Sequence, residues 1–362
     1  MAHCIRRMRQ IALQLLRRSG ARNPRALGCT AAALCTAALL WPADPGLSAP
    51  PARVVALDNV PIPHRVHTRS GPLARARSKL VEFDTAPFPY AGMMPRSNKP
   101  FLDVSENGRR GHRTGSGRVY WEDETYNDSQ VLLHLPKGFD VRRPSLLIVF
   151  FHGHGAKLAD DVYLRQQVPA QLSSSGVNAV LVAPQLALNA ADSSAGKFWE
   201  PGAFARFLGE AAQHLARLHG DPRSARSFAS MPVAIVAYSG GYAATAWSVH
   251  HGGLTNRLQG VVLFDALYGE LDIFADWMTR QKSAFFVSTY SRYTEARNTR
   301  LQKILAERQI PFTTALEPRL RPGNIAFLPA PKDAEHKDFL TYAWVDAPLK
   351  DFLARLRSYA RR

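Results

Sequence analysis

The sequence predicts an α/β protein, and three observations carry that prediction. Short apolar, β-branched runs recur along the chain from about residue 118, helical patterns follow them, and one run stops at a serine flanked by residues with almost no side chain. In chain order, Gln130-Val-Leu-Leu-His-Leu opens the series, Leu146 to Phe151 is an unbroken apolar strand, and another strand ends at Pro184-Gln185. Phe204, Phe207, Leu208, Ala211, Leu215 and Leu218 then keep helical spacing, so this helix faces the core. Val233 to Tyr238 is the next strand, Tyr242 to His250 has helical composition, and Gly260–Phe264, Ala284–Tyr290 and Asn324–Leu328 complete the strand series.

The run Val233-Ala-Ile-Val-Ala-Tyr-Ser-Gly-Gly241 places Ser239 at a strand-to-helix turn. A nucleophile on such a sharp elbow needs small residues two places to either side, because a larger Cβ collides with the neighbouring backbone. Ala237 and Gly241 satisfy that demand, although the usual first residue is glycine. Taken alone, such a tripeptide is more often a plain turn. Upstream, the strand ending at Phe151 runs into His152-Gly153-His154-Gly155, a loop of nearly bare backbone. An oxyanion needs two backbone N–H groups, and Gly240 with His154 or Gly155 is positioned to supply them.

Past the His250-His251 pair the only remaining histidine is His336, in the loop after the last strand, which makes it the general base by elimination and by position. Two acids are candidates for orienting it. Asp265 closes the apolar run Val-Val-Leu-Phe and is poorly solvated there without a partner; Glu295 lies in the polar stretch Ser291 to Arg300 and also reads as plain surface. Asp265 is favoured. The aromatic and glycine-bearing loop Asp192 to Gly202 brings Phe198 and Trp199 forward as pocket residues or as packing, and Tyr238 and Tyr242 flank the serine.

The order of strand, His-Gly loop, strand, serine elbow, acid and histidine resembles the α/β-hydrolase superfamily. The likeness spans roughly Arg118 to the C-terminus, and Gln130 to Asp140 followed by the strand into His152-Gly153 is similar to secreted esterases and polyester depolymerases of that fold. The resemblance implies a doubly wound, mostly parallel sheet flanked by helices, with the triad on loops at the carboxyl ends of the strands. It also implies nucleophilic acyl transfer on a small-molecule or polymeric ester. An amide or peptide hydrolase of the same fold and a non-catalytic envelope-binding protein are the competing readings.

No metal is expected, since His152-x-His154 and His250-His251 have no nearby carboxylate cluster. No cofactor is expected either, because Gly153 and Gly155 do not continue into a dinucleotide or phosphate-loop motif.

Residues 1–49 read as a cleaved signal peptide for a periplasmic or secreted protein. Seven arginines precede any acid, Ala26 to Trp41 is apolar or small, and Leu-Ser-Ala closes the segment. The apolar run falls short of the roughly 20 residues of a spanning helix, which leaves an uncleaved anchor as the alternative. An arginine-rich, acid-poor start is also found in mitochondrial transit peptides. Cys4, Cys29 and Cys35 all fall inside this segment, so the mature chain would hold no disulfide.

The chain carries a formal +17, of which residues 1–49 contribute seven arginines against Asp44. The remaining charge of about +11 draws an exported protein toward an anionic envelope surface. Nucleic acid is not expected as a partner, because the basic residues are scattered and no helix concentrates them beside aromatics. Residues 50–117, rich in Pro, Arg, Gly and Ser with only Lys79 to Phe83 strand-like, read as an irregular arm before a catalytic domain at 118–362.

Overall fold

A computed structural model describes residues 71–361 of the chain. The expected signal segment with its three cysteines, and the first part of the arm, lie outside the described residues. Within them, eight strands form one sheet: β1 (Arg77–Glu82), β2 (Gln130–Leu135), β3 (Leu146–Phe151), β4 (Ala179–Pro184), β5 (Val233–Tyr238), β6 (Leu258–Phe264), β7 (Phe285–Tyr290) and β8 (Ile325–Pro329). Their spatial order is β1-β2-β4-β3-β5-β6-β7-β8, and only the pairings made by β2 are antiparallel.

The central strands are apolar at every position because both faces of the sheet are covered. All six residues of β3, β4 and β5 are buried, which is why these strands read as continuous runs rather than alternating ones. Alternate residues still serve opposite faces. Leu147, Val149 and Phe151 join one core with Val233, Ile235 and Ala237, while Leu146, Ile148 and Phe150 join the other with Ala234, Val236 and Tyr238. Each such buried side chain contributes roughly 1.5–3 kcal/mol over its exposed state.

Two helices cover the second face: α1 (Val168–Ser174) and the C-terminal α6 (Pro348–Ala354). The first face is covered by α2 (Ala203–His219), α3 (Tyr242–His251), α4 (Leu271–Arg280) and α5 (Glu295–Glu307). The helix expected from the 204–218 periodicity is therefore α2, and its Phe204, Phe207, Leu208, Ala211 and Leu215 are all buried. The result is a doubly wound, mostly parallel sheet flanked by helices on both faces.

The stretch expected to be an irregular arm is more ordered than its composition predicts. From Arg77 it forms the edge strand β1, in register with β2 from Arg77 opposite Leu135 to Glu82 opposite Gln130. Four of its six residues are exposed and none is fully buried, so the strand lacks the apolar signature of a core strand. Further on, Val104–Glu106, Arg109–Arg113 and Val119–Trp121 make a small antiparallel sheet, and Phe88, Tyr90, Phe101 and Tyr126 form an aromatic cluster of their own.

Candidate active site

Ser239 stands where β5 passes into α3, at φ +53°, a left-handed backbone that costs a non-glycine residue about 1–3 kcal/mol. The surrounding glycines make that turn possible. A Cβ on Gly241 would lie 2.5 Å from the Phe151 carbonyl oxygen, one on Gly153 would lie 2.8 Å from the Ser239 Cβ, and one on Gly240 would meet the His154 ring at 2.3 Å. Ala237, in register with Phe151 and Leu263, turns its methyl into the core and is fully buried, so the elbow accepts alanine at this position. Gly241→Ala is expected to lower unfolding stability by about 2–3 kcal/mol in urea titration, because backbone, not a flexible side chain, opposes the new methyl. A midpoint equal to that of the parent protein would show that the elbow relaxes freely.

Three residues far apart in sequence meet at this elbow. His336 Nε2 lies 2.8 Å from Ser239 Oγ, and His336 Nδ1 lies 2.7 Å from Asp265 Oδ2. Asp265 follows β6 at φ +43° and is completely buried. Its Oδ1 accepts the Ser291 N–H at 2.9 Å and the Thr294 hydroxyl, and its Oδ2 accepts the Ser291 hydroxyl at 2.6 Å. Burial pushes this carboxyl upward, but the hydrogen bonds from His336, Ser291 and Thr294 outweigh it and hold the group below its ordinary value. A carboxylate only accepts, so His336 carries its proton on Nδ1 and turns a free lone pair on Nε2 toward the serine.

The histidine itself is mounted on a short 3-10 turn, His336–Leu340, fixed by a capping box between Glu335 and Asp338 in which Asp338 Oδ2 accepts the Glu335 N–H at 2.9 Å. Tyr238 stacks on its ring, with centroids 5.0 Å apart, and donates its hydroxyl to the His336 carbonyl at 3.1 Å. Burial pushes the Tyr238 phenol up to about 12 against the pull of the Arg165 charge.

The His-Gly loop is pinned from below. His152, fully buried, donates Nδ1–H to the Gly153 carbonyl at 2.8 Å, and its Nε2 accepts from the Leu186 N–H at 2.8 Å and from the Gln185 amide at 2.9 Å. Burial drives its pKa down from 6.5 to about 4. His134, bridging Ser78 and Ser173, is likewise brought to about 4 by burial and by the Arg361 charge. Below pH 6.5 the unfolded chain takes up protons that these folded imidazoles refuse. Stability is therefore full above about 6.5 and falls as pH drops toward 4, by up to about 3 kcal/mol for each group. His152→Gln is expected to make the decline of the urea midpoint between pH 7 and 4.5 visibly shallower than in the parent protein. An unaltered slope would count against a neutral His152.

His154 and Gly240 face the cavity over Ser239, but Gly155 does not serve as anticipated. At φ +69° the Gly155 amide is turned away and donates to the Ala190 carbonyl at 2.9 Å. The His154 ring instead bonds the Ser193 hydroxyl through Nε2 at 2.7 Å, and burial holds its pKa below the ordinary value. Tyr238 and Tyr242 line the cavity.

Phe198 and Trp199 do not. Phe198 is fully buried in the core against Phe151, Phe204 and Phe207, and Trp199 packs on Tyr90 and Phe101 of the ordered arm. Their loop reaches the cavity through Ser193 alone. Glu295 is exposed at the start of α5 and leaves the histidine to Asp265.

Sequence reasoning missed Arg165, Gln166, Tyr268 and Lys337 in the cavity wall, along with Ser291 and Thr294 behind the acid. Lys337 adjoins His336 and could have been found from it. Arg165 ends a π-helical stretch, Leu158–Arg165, that no periodicity announces.

Among the described residues no helix is long and apolar enough to cross a membrane, and no group of three metal-ligating side chains occurs. No protein-family model matches the chain, and no curated protein matches it. Several solved structures are similar at low identity. A feruloyl esterase module from Clostridium thermocellum is 14% identical, covering 78% of this chain and 96% of its own, with a TM-score of 0.41. An S-formylglutathione hydrolase from Agrobacterium tumefaciens is 10% identical, covering 72% and 98%, at 0.41. An IroE-like serine hydrolase from Shewanella oneidensis is 9% identical, covering 79% and 80%, at 0.39.

Proposed function

We propose that the protein is an exported serine hydrolase that cleaves carboxylic esters through a Ser239-His336-Asp265 triad. The observation that carries this reading is the unbroken hydrogen-bond chain from the strained Ser239 through His336 to a buried, charge-stabilised Asp265. In the first step Ser239 Oγ attacks the ester carbonyl carbon while His336 Nε2 takes its proton. The carbonyl oxygen becomes an oxyanion facing the backbone N–H groups of Gly240 and His154. Collapse breaks the bond to the alcohol oxygen, which leaves with the proton from His336. Water, deprotonated by the same histidine, then frees the acid and restores Ser239. Asp265 keeps the imidazole in the tautomer that accepts at Nε2 and stabilises the imidazolium. Apart from that water, every step uses groups of this chain.

Fluorophosphonate labelling of the purified protein tests the proposal. The parent protein is expected to be labelled, and folded Ser239→Ala and His336→Ala variants are not. A folded parent protein that neither reacts with the probe nor hydrolyses 4-nitrophenyl acetate would overturn it. Export rests on the arginine-rich, then apolar residues 1–49, and the basic charge of residues 50–362 favours an anionic envelope surface as the working environment. N-terminal sequencing of protein from cell fractions should find the segment removed; an intact terminus in the membrane fraction would mean an anchor instead.

A further inference from the structure

Ester cleavage by Ser239 needs no charge in the cavity wall, yet the wall holds two cations, Arg165 and Lys337, and no carboxylate. The cavity has a volume of about 580 Å³, room for a substrate with substantial groups on both sides of the scissile bond. Arg165 is half-exposed and shares one ion pair, at 2.8 Å, with Asp161. Lys337 is exposed and forms no ion pair or hydrogen bond with any described residue. Of the acids of its own loop, Glu335 pairs with Arg292 at 3.1 Å and Asp338 is buried within the capping box, while Asp333 is exposed and forms no ion pair with Lys337. Lys337 thus lines the cavity with no ion pair to a described residue.

Both cations lie on one side of the nucleophile. Lys337 follows His336 directly, and Arg165 is near Tyr238, whose ring is stacked on His336. Gly240, His154 and Ser193 line the same cavity, the last two joined at 2.7 Å. Acyl transfer assigns chemistry to these groups. The oxyanion points to the Gly240 and His154 amides, and the departing alcohol oxygen must sit by His336 to receive its proton. Resting on the ester-hydrolase reading of Ser239, we propose that the natural substrate is an ester whose alcohol portion carries a negative charge, a carboxylate or a phosphate, held by Lys337 and Arg165. These residues determine specificity and are not needed for the chemical steps.

Two matched pairs of synthetic esters test this. On the alcohol side, 3-acetoxybenzoate is compared with methyl 3-acetoxybenzoate; on the acyl side, mono-4-nitrophenyl glutarate is compared with 4-nitrophenyl pentanoate. Each kcat/KM is divided by the rate of hydroxide-catalysed hydrolysis, which removes intrinsic reactivity. The charged alcohol-side ester is expected to be favoured about 5- to 10-fold at low ionic strength, with the preference fading in about 0.5 M salt. Lys337→Gln with Arg165→Gln should bring the ratio close to one, and Lys337→Arg should retain most of it, a pattern that general damage to the site would not produce. Equal corrected rates within the alcohol-side pair, or a preference for charge only on the acyl side, would overturn the proposal while leaving the hydrolase intact. Failure of the folded protein to cleave any of the four esters would overturn the hydrolase reading itself.

Discussion

Ser239→Ala is expected to reduce kcat for ester hydrolysis by about 10⁴- to 10⁶-fold while leaving the fold in place. Alanine removes only the Oγ that His336 Nε2 meets at 2.8 Å, and it inherits the left-handed backbone at φ +53° that the turn already imposes. Nothing in the packing changes: Gly153, Gly240 and Gly241 still leave the same narrow space around residue 239. The residual rate should reflect what substrate binding and the Gly240 and His154 amides contribute without a nucleophile. Steady-state kinetics on 4-nitrophenyl acetate, with the urea midpoint measured on the same preparation, separates loss of chemistry from loss of structure. A variant that keeps its midpoint and more than about a tenth of its kcat would remove Ser239 from the mechanism.

Asp265→Asn is expected to cost about 10⁴-fold in kcat through a different route. Three donors already converge on this side chain: the Ser291 amide, the Ser291 hydroxyl and the Thr294 hydroxyl. In asparagine the single carbonyl oxygen turns to the two donors on the Oδ1 side, the Ser291 N–H and the Thr294 hydroxyl, which aims the amide NH₂ at the Ser291 hydroxyl and at His336 Nδ1. The imidazole can then only accept at Nδ1, so its proton moves to Nε2, where it confronts the Ser239 hydroxyl as a second donor. The base is present and correctly placed but holds the wrong tautomer. Glu295→Gln, on the exposed start of α5, should leave kcat within about twofold of the parent protein, which makes it a direct control for the acid assignment. If the two variants behaved alike, the assignment of Asp265 would fail.

How much of this was readable in advance depends on which force placed each residue. Ser239, His336 and Asp265 were legible because each ends or follows an apolar run that the parallel sheet buries, and a polar group in that position needs a reason to be there. The core helix was legible from the spacing of its phenylalanines. By contrast, Phe198 and Trp199 were brought forward as aromatics in a loop near the site, and the same apolar area that made them attractive drew Phe198 into the core and Trp199 onto the arm. Tyr268 sits in irregular backbone, and Arg165 and Lys337 lie in short π-helical and 3-10 stretches too brief for a period to relate sequence to direction. Gly155 shows a further limit. Its composition announces a turn, but only the turn's actual dihedral decides that its amide goes to Ala190. The strand β1 was partly hidden because an edge strand protects itself with the charged residues that make it look like a loop.

The distances along the chain between Ser239, Asp265 and His336 have a kinetic consequence. His336 meets Asp265 across 71 residues and Ser239 across 97, and the three are carried at the ends of β5, β6 and the segment after β8, with the loop after β7 supplying the donors behind the acid. Closing such long loops is entropically expensive, and no local element contains even two of the three. A chain emerging from synthesis can thus build the elbow, bury its hydrophobic runs and still be chemically inert until its last strand has docked at the sheet's far edge. The proposed activity would be gained only at the end of folding, and a half-made or truncated chain would lack it.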